Sequence, residues 1–371
     1  MQRLRIGVNA LYLIPGGVGG TEIYLRSLLT GLAEIDHDNQ YVVFTNRETG
    51  IDIAPEQSNF TVEPLNVRAA FRPGRILIEQ TSLPSAVRRM RLDVLLNPGF
   101  TAPLLCAVPS VTVFHDLQHK RHPEFFRWFD LPFWRALLYG SAHRATRLIA
   151  VSDATRNDLL RFYKLDPGKI RVVPHGVDPA FFTIGRERVS AQPMVLCVST
   201  LHPHKNLERL IRVFTGLRAS RPEYSLTIAG LHGFHTGILE GLIESLNARA
   251  SVRLTGWIPR EELYGLFRQA AIFVYPSTFE GFGMPVLEAL AAGLPSACSS
   301  VEPIPSVAAG AAIYFDPHDD EAMLQALIRL MEEPELRARL AAQGPERAGC
   351  FSWNKTAEST LAVLREAAQR K

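Results

Sequence analysis

The chain has 371 residues, 47% of them apolar and 21% charged, with a formal net charge of +3. That length and composition suit a folded protein of two or three domains and exclude a disordered chain. The basic excess is slight and confined to residues 1–180, where 21 Lys and Arg face 17 Asp and Glu; the remainder carries 19 against 20, so the charge gives no argument for a nucleic acid, for which a clustered basic stripe is expected.

In chain order, the first half holds strand-like runs at Leu4–Ala10, Tyr41–Thr45, Phe60–Leu65, Asp93–Leu96, Val111–Phe114, Arg147–Val151 and Ile170–Val173. They are rich in Val, Ile and Leu without strict alternation, as strands buried on both faces are. Amphipathic helical patterns such as Thr21–Ile35 and Asp153–Tyr163 separate them. A turn-rich break follows at Val173–Pro179, and Gly185 to Pro193 reads as polar and irregular. The alternation then restarts. Met194–Ser199, Ser225–Ala229, Val252–Thr255, Ile272–Tyr275, Pro295–Cys298 and Ala312–Phe315 read as strands, and Asn206–Ser220, Glu261–Ala270 and Met284–Ala292 as helices.

Strand–helix alternation of this kind builds parallel sheets covered on both faces. The expected fold class is therefore α/β: two Rossmann-like, doubly wound parallel-sheet domains facing a deep cleft. The first spans residues 1–180 and the second 181–351. The last helix, about Ser352 to Arg370, follows the second domain and is free to pack back on the first. Cys106, Cys197, Cys298 and Cys350 show no CxxC or metal-ligand spacing, which fits reduced thiols. The start of the chain lacks an apolar signal core, and no run reaches the ~18 apolar residues of a membrane span. The expectation is a cytoplasmic protein.

The strongest chemical signal is Glu280-Gly281-Phe282-Gly283-Met284-Pro285-Val286-Leu287-Glu288, which follows a strand and opens a helix. Pro285 suits a first helical turn. Gly281 and Gly283 let backbone come close to a ligand. The free N–H groups of the helix start suit a phosphate. Two carboxylates flanking such a start, Glu280 and Glu288, suit the hydroxyl pairs of a sugar nucleotide.

This segment resembles the Glu-x7-Glu motif of the family 4 retaining glycosyltransferases, which have the two-domain GT-B fold. The resemblance covers nearly the whole chain, because four other segments match in order. It implies that Glu280 approaches the donor sugar ring and Glu288 holds the ribose. Phe282, Gly283 and Met284 then line the donor. The loop Pro15-Gly16-Gly17-Val18-Gly19-Gly20-Thr21-Glu22 places Gly17, Gly19 and Gly20 against donor phosphates and acceptor; it is not the G-x-G-x-x-G dinucleotide fingerprint. In Val111-Thr112-Val113-Phe114-His115-Asp116, His115 is the residue that contacts the donor sugar, and Asp116 is expected to hold local backbone. In Ser199-Thr200-Leu201-His202-Pro203-His204-Lys205-Asn206, Lys205 neutralises the donor diphosphate. Thr200 stands where the family often has Arg, and His204 stands where a second Arg would compensate, so the resemblance assigns one positive charge fewer to the diphosphate unless His204 is protonated. Asn206 can cap the helix that follows. Finally, Trp257 and Ile258 in Thr255-Gly256-Trp257-Ile258-Pro259 hold the nucleotide base through backbone groups.

The implied reaction moves a hexose from a nucleotide diphosphate to a hydroxyl of a glycan or lipid-linked acceptor, with Glu280, His115 and Lys205 as the catalytic set. Catalysis would consist mainly of stabilising the departing diphosphate. No acidic cluster such as DxD is placed to bind it, so no metal and no other cofactor are expected. Val113 to Gln118 and Pro123-Glu124-Phe125-Phe126 look like the mannosyltransferase-like branch of bacterial polysaccharide synthesis, which favours GDP-mannose. Phe125, Phe126, Trp128, Phe129, Phe133 and Trp134 lie among Arg121, Arg127, Arg135 and Arg144, with Arg68, Arg72, Arg75, Arg88, Arg89 and Arg91 upstream. Such a surface suits peripheral contact with anionic lipid on the inner face of a membrane, and equally a helix core with a solvated face. A sugar-nucleotide epimerase of the same fold and a catalytically silent binding protein are the alternatives. Acceptor, linkage and oligomeric state are not encoded in any motif.

Overall fold

A computed structural model describes residues 3–17, 19–187, 191–233 and 235–369. Val18 of the glycine loop, residues 188–190 of the polar stretch and Arg370 of the last helix lie outside the described residues. The chain divides into two compact units, Met1–Gly176 with Ser352–Lys371, and Val177–Phe351, so the change of unit comes at Gly176 rather than at 180.

The first unit is built from β1 (Arg5–Asn9), α1 (Gly20–Ile35), β2 (Gln40–Thr45), β3 (Phe60–Pro64), α2 (Arg72–Gln80), α3 (Ser82–Arg89), β4 (Val94–Asn97), β5 (Ser110–Phe114), α4 (Gln118–Arg121), α5 (Leu131–Arg144), β6 (Arg147–Ala150), α6 (Asp153–Tyr163) and β7 (Ile170–Val172). Its seven strands pair in the order β3-β2-β1-β4-β5-β6-β7, all parallel. Central strands such as β4 and β5 are buried at every residue, which explains their unbroken apolar runs. Local caps fix the helices. Ser152 accepts the Thr155 amide at the start of α6, and Lys164 turns left-handed at its end.

The second unit runs α7 (Ala180–Glu187), β8 (Met194–Val198), α8 (Leu207–Leu217), β9 (Ser225–Ala229), α9 (Thr236–Ser245), β10 (Val252–Leu254), α10 (Arg260–Gln269), β11 (Ile272–Tyr275), α11 (Met284–Ala291), β12 (Ser296–Ser299), α12 (Ile304–Ala308), β13 (Ile313–Phe315), α13 (Asp320–Glu332) and α14 (Pro334–Ala348). Its six strands pair in the order β10-β9-β8-β11-β12-β13, again parallel. Ile272 and Val274 of the sheet pack with Leu210 and Phe214 of α8 and Leu327 of α13 in one core. Gly185 to Glu187, read from the sequence as irregular, are helical. Phe181 and Ile184 of α7 are buried, and that apolar burial overrides the local Gly and charge signals.

The chain then returns to the first unit as α15 (Trp353–Ala368), capped by Ser352 through the Lys355 amide. This helix lies against α1. A Cβ on Gly31 would sit 2.9 Å from the Trp353 carbonyl oxygen, so only glycine permits the seam. Glu366 of α15 pairs with the buried Arg147 at 2.8 Å and with Arg171 at 2.7 Å. Among the described residues, no helix is long and apolar enough to cross a membrane.

Candidate functional site

Open parallel sheets bind ligands beyond the carboxyl ends of their strands, at the point where strand order reverses. In the second unit that point lies between β8 and β11, because the chain winds outward to β9 and β10 from one and to β12 and β13 from the other. The loops leaving β8 and β11 carry two of the motifs, and they meet. Lys205 ends a 3-10 turn, Pro203–Lys205, that follows β8. Its Nζ lies 2.6 Å from Glu280 Oε1, with both side chains mostly shielded from solvent. Lys205 also donates to the Tyr275 hydroxyl at 3.2 Å, and that hydroxyl donates to Glu280 Oε1 at 2.8 Å. Burial, then the Glu280 charge, raises the Tyr275 pKa well above its ordinary value, so the phenol stays protonated and can donate.

The two loops are stitched together around this pair. The His204 carbonyl accepts from Ser277 Oγ at 3.1 Å, Thr278 Oγ1 at 3.1 Å and the Thr278 amide at 2.8 Å. Asn206 does not cap α8. It sits at φ 56, and its amide instead donates to the carbonyls of Pro276 and Pro317, at 3.2 and 2.7 Å. The left-handed backbone points the side chain away from the helix start, and two loop carbonyls gain a donor. The His204 ring is buried between the rings of His202 and Phe279, 5.9 and 6.4 Å away. Thr200 is half-buried, and its carbonyl accepts the His202 amide at 2.9 Å.

Gly283 precedes α11 with φ 93 and ψ 46, a conformation that disfavours any side chain, and Pro285 occupies the first turn. Phe282 is buried and packs on Phe351 with ring centroids 5.9 Å apart; Met284 is half-buried. Glu288 lies one turn inside α11, buried, in a cluster separate from Lys205 and Glu280. Its Oε1 is 3.2 Å from the Arg260 guanidinium, which also reaches Asp178 at 3.0 Å. Burial raises the Glu288 pKa above its ordinary value, and Arg260 offsets only part of that rise. Asp178 is held below the usual carboxylate range against its own burial, by hydrogen bonds from Tyr264, the Ala180 amide and Arg260. Trp257 is 58% exposed and Ile258 half-buried, on the turn just before Arg260.

The remaining predicted residues belong to the first unit. His115 directly follows β5, buried, with Nε2 2.8 Å from the Pro98 carbonyl. Tyr24, Phe100 and His175 surround its ring at 4.8, 5.2 and 5.5 Å. Burial pushes its pKa down to about 4, so it is neutral at physiological pH. Asp116 accepts the Gln118 amide at 2.8 Å. Gly17 and Gly20 are exposed, and Gly19 stands at the start of α1 with φ 59. Glu22 anchors this loop by accepting the Gly16 amide at 2.8 Å, while Arg26 pairs with it at 2.9 Å. Between the ends of β1 and β4, the first sheet's own reversal point, lies a buried network. Asn9 Nδ2 donates to Asn97 at 3.1 Å and to Glu79 at 3.2 Å, and Thr101 donates to Glu79 at 3.0 Å. Burial raises the Glu79 pKa, against the pull of Arg75.

Sequence reasoning passed over Tyr275, Asp178, Arg260, Tyr264 and this Asn9–Glu79 network. Tyr275 read as a strand residue, and Arg260 fell just before the helix read from Glu261; only their position at a strand end and beside a site loop marks them. Among the described residues, no group of three or more His, Cys, Asp or Glu is placed to hold a metal ion.

Paired, low-exposure charges at the reversal point of a parallel sheet are an arrangement suited to a polar, charged small molecule. Comparison with known proteins gives the family. The model described as Glycosyltransferase Family 4 matches residues 18–181, and that described as Glycosyl transferases group 1 matches residues 185–347. The chain is 28% identical over 262 residues to an O-antigen chain mannosyltransferase B of Escherichia coli, covering 68% of this chain and 69% of that protein. It is 27% identical over 397 residues to an MMP alpha-(1->4)-mannosyltransferase of Mycolicibacterium hassiacum, covering 95% and 96%. The structure of a sucrose-phosphate synthase from Thermosynechococcus elongatus superposes with a TM-score of 0.83 at 19% identity, covering both chains completely. The chain belongs to the family 4 glycosyltransferases, enzymes of the GT-B fold.

Proposed function

We propose that this enzyme transfers mannose from GDP-mannose, with retention of anomeric configuration, to a hydroxyl of a glycan or lipid-linked acceptor in cell-surface polysaccharide synthesis. The observation that carries the donor-site reading is the Lys205–Glu280 pair, 2.6 Å long and braced by Tyr275 at the reversal point of the second sheet. A donor diphosphate arriving there meets a cation already fixed in place, and a carboxylate that can turn to sugar hydroxyls. The names of the two bacterial relatives support a mannosyl donor.

In this reading the bond between the sugar's anomeric carbon and the diphosphate oxygen breaks. A bond to the acceptor oxygen forms on the same face, and the acceptor's proton passes to the departing phosphate oxygen. Lys205, the start of α11 at Gly283 and the Gly17 to Gly20 loop stabilise the leaving charge. Glu280 and His115 orient the sugar as it becomes cationic. Glu288 accepts from the ribose hydroxyls, and the backbone at Trp257 and Ile258 holds the base. Thr200 lines the diphosphate. The chain's own cations carry the leaving group's charge, so activity should survive chelation of divalent ions. The first unit, with its exposed aromatic residues among arginines, makes peripheral contact with anionic lipid, where a lipid-linked acceptor would reside.

The test is thermal stabilisation by GDP-, UDP-, ADP- and dTDP-sugars of the wild type and Glu288→Ala. A bound ligand stabilises by RT ln(1 + [L]/Kd), so the true donor stands out at millimolar concentration. GDP-mannose should shift the wild type and not the variant. A shift by another nucleotide alone would replace the donor, and no shift with any would overturn the donor site.

A further inference from the structure

Arg260 belongs to no motif that pointed to the site, yet it is the cation on Glu288. It opens α10 directly after the Trp257–Pro259 turn. Its guanidinium stands 3.2 Å from Glu288 and 3.0 Å from Asp178. Tyr264, one turn further, accepts from Arg260 Nε at 3.2 Å and donates its own hydroxyl to Asp178. The guanidinium also lies against the rings of Phe181 and Tyr264, at 5.1 and 5.3 Å from their centroids. Two carboxylates and two aromatic rings thus hold the guanidinium, whose side chain is 32% exposed.

A buried carboxylate without a counter-ion takes up a proton rather than stay charged. Protonated, it loses acceptor capacity and presents an O–H donor. Such a group cannot accept hydrogen bonds from both hydroxyls of a vicinal diol. Arg260 engages Oε1 from one side, so Glu288 keeps lone pairs for two further donors.

We propose that Arg260 is a positioning residue for donor binding: it holds Glu288 ionised and aimed at a vicinal diol, with Asp178 and Tyr264 holding Arg260 in turn. The proposal rests on Glu288 being the ribose-binding carboxylate. Arg260 and Asp178 are the charged groups that act on Glu288. On the other elements packed against α11, Glu187 of α7 faces Arg268, Arg347 of α14 bonds the carbonyls of Ser306 and Val307, and Cys298 of β12 is a buried thiol whose pKa burial raises. Helix α12 carries no titratable side chain.

The test measures GDP, UDP and ADP affinity by titration calorimetry from about pH 6.5 to 8.5. Each variant is expressed as a ratio to wild type, so that titration of the nucleotide cancels. Without Arg260, nothing offsets the effect of burial, so the pKa of Glu288 climbs further and acidification favours its neutral form. Arg260→Met should bind about 10-fold more weakly at the acid end and recover as pH rises. Arg260→Lys, which keeps the charge, should show a flat ratio. Tyr264→Phe should move in the same sense as Arg260→Met but less. Thermal unfolding of each variant checks the fold, and the Tyr264 variant keeps the question open to test if Arg260→Met fails to fold. A loss for Arg260→Met that is equal at every pH, or no loss, overturns the counter-ion role. Glu288→Gln separates this from the underlying reading. If it binds as wild type does, the ribose assignment fails whatever Arg260 does; if it loses affinity at every pH, the assignment stands and the Arg260 result is judged alone.

Discussion

The reversal points of the two sheets are built from the same topology and opposite chemistry. In the first unit, Asn9, Asn97, Thr101 and Glu79 are linked by hydrogen bonds below the surface, with Asn97 Nδ2 left without a partner, and His115 is buried as a neutral ring. In the second, Lys205 with Glu280 pairs full charges at low exposure at the reversal point, and Arg260 with the buried Glu288 forms a second, separate pair. The first unit's network is mostly neutral and carries a single carboxylate. Paired charges are different: each is stable while partnered and, in the proposed reading, keeps hydrogen-bonding capacity for an incoming anion or diol. The outer surfaces differ as well. Large exposed apolar residues gather in the first unit, with Trp128 83% exposed and Phe129, Phe133, Phe71, Leu77 and Leu105 also exposed, whereas the second unit has Ile238 and Trp257.

The largest way to break this contrast is to remove a charge from the second unit. Lys205→Ala should lower kcat about 100- to 1,000-fold, as loss of one fixed group opposite a developing charge does. Steady-state rates with the donor found by thermal shift would check it, and the matching change in the first unit, Asn97→Ala, should act on stability rather than on rate.

The next effect belongs to the first unit and is read from pH. The unfolded chain protonates the His115 imidazole below its ordinary 6.5, and the folded chain only below about 4. Between those values the unfolded state binds the extra proton, so stability is present at neutral pH and is lost as pH falls through the window. The loss is at most about 3 kcal/mol for this group. Denaturant unfolding at neutral pH and near pH 4.5 should show a smaller acid loss in His115→Asn than in wild type; equal losses would mean the buried ring is not the source.

The smallest effect concerns the outer surface. Wild type should sediment with vesicles containing anionic lipid at low salt, and Trp128→Ser with Phe129→Ser and Phe133→Ser should reduce the bound fraction about 10-fold. Donor binding should be unchanged, because these residues lie in the first unit outside the candidate site. No sedimentation of wild type at low salt would remove the lipid reading.

Much of this architecture was legible. Strand runs such as Ile272–Tyr275 and Ser225–Ala229 coincide with β11 and β9 to the residue, because a strand buried on both faces leaves an unbroken apolar stretch. Helix α7 was not legible, since its signal is the burial of Phe181 and Ile184 against other elements. The cap expected of Asn206 failed for a similar reason: the carbonyls of Pro276 and Pro317 compete for its amide, and they are distant in sequence. In the site, Lys205 and Glu280 stood out separately on two motifs. That they share one ion pair depends on β8 and β11 being neighbours, which strand order decides and local pattern does not. Arg260, Asp178 and Tyr264 carried no signal at all, because their meaning lies in mutual distance.

The return of α15 to α1 has a consequence for how the chain is made. A ribosome releases residues 1–176 long before Trp353 exists, so the first unit leaves synthesis with the α1 face around Gly31 uncovered. The unit that begins first is completed last, after the whole of Val177–Phe351 has emerged. Until then its exposed seam is a target for chaperones, and a chain truncated before Ser352 carries that seam for good.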